Sequence, residues 1–98
     1  MSITSRQRAF LKSLAHPLEP IVRVGRARIS PEVVAETLRS LEAHELIKVR
    51  VDADEGHDRK ALATELAKEA GAELVGTVGK IAILYRARDE KPTIKLPA

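Results

Sequence analysis

The residues of this chain best suited to chemistry gather in one stretch, Val22-Arg23-Val24-Gly25-Arg26-Ala27-Arg28-Ile29-Ser30-Pro31-Glu32. Arg23, Arg26 and Arg28 crowd a glycine turn, and a strong helix start follows: Ser30 is a good N-cap, Pro31 suits the first helical position and Glu32 the first turn. The peptide N–H groups after Ser30 should therefore point back at the loop, so that a helix N-terminus and three guanidinium groups face the same space. Such a place attracts anions, and the commonest polyanion open to a small basic protein is nucleic acid.

Other chemistry finds less support. Gly71, Gly76 and Gly79-Lys80 imitate a phosphate-binding P-loop, but Thr77 follows Gly76 where lysine is required, and Ile81 follows Lys80 where Ser or Thr should stand. Gly76-Thr77-Val78-Gly79 also spells G-x-x-G, yet it falls between two apolar runs, where hairpin geometry explains both glycines. His16, His44 and His57 are scattered, and His44 between Glu42 and Glu45 reads as a surface histidine at a helix end rather than a metal ligand. The chain has no cysteine, which removes disulfides and thiolate zinc sites. A catalyst at the Gly25 loop would need a positioned acid or base, and the carboxylates near it in sequence, Glu19 and Glu32, have loop and helix-start duties. No enzyme activity, cofactor or metal is expected.

At 98 residues the chain is expected to form one domain, and a hydrophobic share of 44% supports a single modest core. No apolar run approaches a membrane span and residues 1–14 lack the continuous apolar stretch of a signal peptide, so the expected location is the cytoplasm. The net charge of +3 is uneven along the chain. Residues 1–30 carry six Lys or Arg (Arg6, Arg8, Lys12, Arg23, Arg26, Arg28) against Glu19 alone, whereas residues 31–47 carry four Glu against Arg39.

The elements that must hold the loop can be read in order. Thr4 and Gln7 form a capping-box pattern, and Phe10, Leu11 and Leu14 recur at helical spacing until His16-Pro17 disfavours continuation. Arg8 and Lys12 lie four apart on a different face of this helix. Ile21 to Val24 is a short strand. A second helix opens at Ser30, turns Val34, Leu38 and Leu41 inward and ends near His44. Leu46 to Val51 alternates, with Ile47, Val49 and Val51 on one side and a basic wet face of Lys48 and Arg50 on the other. A third helix carries Leu62, Leu66 and Ala70 inward and stops at Gly71. Leu74 to Val78 and Ile81 to Tyr85 are strands joined by Gly79-Lys80, a pair suited to a two-residue hairpin. The order α-β-α-β-α-β-β predicts an α/β fold with a four-stranded mixed sheet and three helices, with parallel pairing across both strand-helix-strand crossovers. Residues 1–88 form the expected domain, and residues 89–98 an extended, charged and loosely held tail.

In this order, Leu11-Lys12-Ser13-Leu14-Ala15-His16-Pro17-Leu18, the glycine loop, His44-Glu45-Leu46-Ile47-Lys48-Val49 and Gly79-Lys80-Ile81-Ala82-Ile83-Leu84-Tyr85-Arg86 resemble the CRM (chloroplast RNA splicing and ribosome maturation) domain in its free-standing bacterial YhbY-type form. The resemblance spans nearly the whole chain. It implies a fold similar to the C-terminal domain of translation initiation factor 3, and RNA binding linked to precursors of the large ribosomal subunit. The family's G-x-x-G loop maps to Gly25, Arg26, Ala27 and Arg28, so that a guanidinium stands where the second glycine would be. With the basic residues that the elements set around that loop, the expected contact set is Gly25, Arg26, Ala27 and Arg28 with Arg23, Arg8, Lys12, Lys48, Arg50 and Lys80.

Phe10 and Tyr85 are the only aromatics, and both sit in apolar runs where core packing is expected. Recognition by stacked bases needs several exposed rings. Arginine and lysine contact with phosphate and sugar remains, which reads shape more readily than sequence. The expected partner is thus structured RNA, with no membrane and no small-molecule substrate. A protein-docking module using the acidic side of the second helix and a DNA-binding domain stand as alternatives.

Overall fold

The computed structural model describes residues 3–25, 29–53 and 56–98, and within them the elements run α1 (Ser5–Ala15), β1 (Pro20–Val24), α2 (Pro31–His44), β2 (Leu46–Val51), α3 (Gly56–Glu69), β3 (Glu73–Val78) and β4 (Ile81–Tyr85). Local chemistry sets their ends. The Thr4 hydroxyl accepts from the Gln7 N–H at 3.1 Å while the Gln7 side chain accepts from the Thr4 N–H at 3.0 Å, a complete capping box on α1. Ser30 Oγ accepts from the Val33 N–H at 3.1 Å and opens α2. Gly71, at φ +62°, closes α3: its N–H donates to Lys68 and that of Ala72 to Ala67, the paired bonds of a Schellman cap. Gly79, at φ +57°, makes the β3–β4 turn.

The sheet order is β1-β2-β4-β3. β1 pairs parallel with β2, and β4 pairs antiparallel with both β2 and β3. The parallel neighbour expected across the second crossover is therefore not there, because β4 lies between β2 and β3. Ala82, Leu84, Ile83 and Tyr85 of β4 are all buried, the first two on one face and the last two on the other. A strand apolar on both faces takes a central position, and β3, which exposes Thr77 and Val78, takes the edge.

Helices cover both faces. Between α2, α3 and the sheet lie Val22, Val24, Leu41, Ile47, Val49, Val51, Leu66 and Leu84. Thr37 is buried there too, its hydroxyl donating to the Val33 carbonyl at 2.8 Å, a polar residue the apolar spacing of α2 did not reveal. Between α1 and the sheet lie Leu11, Ala15, Leu46, Val75, Ile83 and Tyr85. Tyr85 is core as expected, whereas Phe10 is only half-buried and belongs to neither cluster.

The tail departs from expectation: it is extended but tied down. Glu45, the one residue between α2 and β2, adopts φ +63° and ψ −38°, uncommon for a residue with a side chain. Its buried carboxylate accepts hydrogen bonds from the N–H of Arg88 (2.8 Å), the N–H and hydroxyl of Thr93 (2.7 Å each) and the N–H of Ile94 (3.0 Å). Ile94 and Leu96 pack on the α1-side core, and Gln7 Nε2 donates to the Pro97 carbonyl at 3.0 Å. Burial pushes the Glu45 carboxyl up, but the hydrogen bonds from Arg88, Thr93 and Ile94 outweigh it and hold the group down to about 2.

Candidate nucleic-acid interface

α1 packs over Leu46, Val75, Ile83 and Tyr85, and leaves open the part of its sheet face that carries Arg23, Arg50 and Val78. Alternation along the strands decides who stands there: with Val22 and Val24 turned to the α2 and α3 side, Arg23 points the other way, and with Val49 and Val51 inward, Lys48 and Arg50 do the same.

The parallel register sets Arg23 directly beside Arg50. Two guanidinium groups at that spacing repel, and Asp52 offsets the repulsion. Its Oδ2 accepts from Arg23 Nε, and its Oδ1 from Arg50 Nε at 2.8 Å. The hydrogen bonds from Arg50 and then Arg23 hold the Asp52 carboxyl below the usual carboxylate range, against the opposing effect of its burial. The Arg23 and Arg50 side chains remain 72% and 49% exposed, and among the described residues their terminal nitrogens make no hydrogen bond. The site thus presents two oriented forks for an incoming anion. Asp52 was missed from sequence, although its position two residues beyond Arg50 places both on one face of an extended chain.

Gly25 and Lys80 border the same depression as Arg23, Arg50 and Asp52. The Val51 N–H donates to the Lys80 carbonyl at 2.7 Å, which ties the β3–β4 turn to the end of β2. Among the described residues a Cβ built at Gly25 meets nothing within 4 Å, and its φ is not left-handed. Packing against the described residues therefore does not demand glycine at that position. Arg26, Ala27 and Arg28 lie outside the described residues.

A second groove, about 370 Å³ in volume, adjoins the end of α1 and is lined by Lys12, His16, Lys48, Val78, Ile81 and Ile83. Lys48 Nζ donates to the His16 carbonyl at 3.1 Å. Lys12 lies across Gly76, its Cε only 2.8 Å from where a Cβ would be. Arg8 is used differently. β3 carries one extra residue between Leu74 and Gly76 relative to β4, and Arg8 Nη1 donates to the carbonyls of Leu74 (2.8 Å) and Val75 (2.6 Å) at that bulge.

Gly25, Arg23, Arg50 and Lys80 thus share one depression, Lys12 and Lys48 line the next, and Arg8 is drawn to the β3 edge. Against known proteins, a family model described as CRS1 / YhbY (CRM) domain matches residues 3–86. The chain belongs to the CRM domain family. It is 38% identical over 96 residues to "Probable RNA-binding protein PA4753" of Pseudomonas aeruginosa, covering 98% of this chain and 91% of that one. To "Probable RNA-binding protein YqeI" of Bacillus subtilis it is 37% identical, covering 97% and 99%. The solution structure of protein SAV1595 from Staphylococcus aureus superposes on this CRM domain with a TM-score of 0.88 at 35% identity, covering 98% and 100% of the two chains.

Proposed function

We propose that this protein binds structured RNA, with the Gly25–Arg28 loop and the neighbouring Arg23, Arg50, Lys48, Lys12 and Lys80 contacting phosphates and sugars, and that it acts in assembly of the large ribosomal subunit. The observation that carries the binding reading is the Arg23–Asp52–Arg50 arrangement, which holds two exposed guanidinium forks in one depression with Gly25 and Lys80. The names of the bacterial relatives support RNA as the polyanion, and the resemblance to YhbY-type proteins supports the ribosomal setting. Binding of this kind neutralises phosphates and depends steeply on salt. It is a non-catalytic role, resting on positioned cations.

Sedimentation of a bacterial lysate tests the assembly part. The protein should travel with precursor large subunits in low salt and leave them in high salt. Recovery only at the top of the gradient under both conditions contradicts it.

A further inference from the structure

β2 and β4 set a row of cations beside a row of apolar side chains. Arg50 stands opposite Ile81 and Lys48 opposite Ile83, with Val78 opposite Ile81 on the far side. Cross-strand neighbours lie about 5 Å apart, and Lys48 and Arg50 about 7 Å apart along the strand. Lys12 reaches from α1 over Gly76 of β3, on the far side of β4 from Lys48 and Arg50, so that cations flank the apolar row on both sides. Val78 is 68% exposed, and among the described residues no carboxylate lines the groove.

A floor of aliphatic carbon with an ammonium group on either edge, next to the Arg23–Arg50 depression through the Arg50–Ile81 pair, has the form of a base platform with a phosphate seat on each side. We propose that this groove takes a single unpaired nucleotide of the bound RNA, its phosphates on Lys12 and Lys48 and its base against Val78, Ile81 and Ile83. The inference rests on the RNA-binding reading and adds to it: the partner is an RNA helix interrupted by a bulged or splayed-out nucleotide, not an uninterrupted duplex. Apolar contact and cations alone read no base edge, so the identity of the nucleotide matters little.

Three RNA hairpins test it: one fully paired, one with a single bulged nucleotide, and one with the same bulge lacking its base. The wild-type protein should bind the bulged hairpin about five- to tenfold more tightly than the other two, the scale set by burying a modest apolar area. Val78→Ser, at an exposed position, should cut that preference to about twofold or less and leave affinity for the paired hairpin unchanged. Gly76→Ala, which displaces Lys12, should weaken the bulged hairpin more than the paired one. Equal affinity of the wild type for all three hairpins, or equal losses on paired and bulged RNA in Val78→Ser, would overturn the groove assignment and leave RNA binding standing. Failure to bind any of the three in low salt would overturn both.

Discussion

Arg23 and Arg50 stand side by side in the parallel register of β1 and β2, and one carboxylate, Asp52, holds both through their Nε atoms. The bridge fixes two guanidinium groups that would otherwise separate, and it leaves their outer nitrogens for a ligand. Asp52→Ala should lower the melting temperature in low salt, and the deficit should shrink in high salt, because the uncompensated repulsion is screened. Melting curves across a salt series check this. A deficit that salt does not change would mean that Asp52 acts through packing.

Glu45 gives the fold a defined acid response. The folded carboxyl is held down to about 2 from an ordinary 4.5, so its stabilisation is complete above about 4.5 and falls away as pH drops toward about 2. Glu45→Gln places an amide donor among N–H donors, and should cost about 2 kcal/mol at neutral pH. Urea unfolding of both proteins at pH 7 and at successively lower pH should show the gap closing below about 4.5. A gap that persists unchanged at low pH would show that the carboxylate charge is not what holds the tail.

Arg8 and Lys12 share a helix face but should respond to substitution in different ways. Arg8→Ala leaves the bulge carbonyls of Leu74 and Val75 without their donor, and should lower stability by about 1–2 kcal/mol. Lys12→Ala removes an exposed cation at the open groove. It should leave melting unchanged and flatten the slope of log affinity against log salt by about 0.7 to 0.9. Parallel melting and binding measurements separate the two roles, and a reversal of the pattern would contradict the assignment.

What the sequence discloses and what it hides divide by distance along the chain. The Thr4–Gln7 box, the Ser30-Pro31 start, the Gly71 stop and the Gly79-Lys80 turn are legible because each depends on residues within a few positions. The basic face of β2 is legible from alternation. The central place of β4 is written in its uninterrupted apolar run, Ile81 to Tyr85, but the crossover rule, which sets β3 beside β2, makes no use of that run. Glu45 is hidden by distance: its partners Arg88, Thr93 and Ile94 lie more than forty residues on. Asp52 could have been found by extending the two-residue period one step past the strand. The groove at Val78 was masked by reading its glycines only as turn formers, when Gly76 also makes room for Lys12.

The central claim is that the arginine-bearing glycine loop and its basic surround bind RNA phosphates, and the most direct test is a salt titration of the wild type and an Arg26→Ala/Arg28→Ala double variant against a ribosomal RNA fragment, beside melting curves of both. Each phosphate contact contributes roughly 0.7 to 0.9 to the slope of log affinity against log salt, so the loss of two should flatten it by about one to two units while the melting temperature stays nearly unchanged. An unchanged slope with unchanged affinity would contradict the loop as the binding site, and a collapsed melting temperature would show that these arginines serve the fold instead.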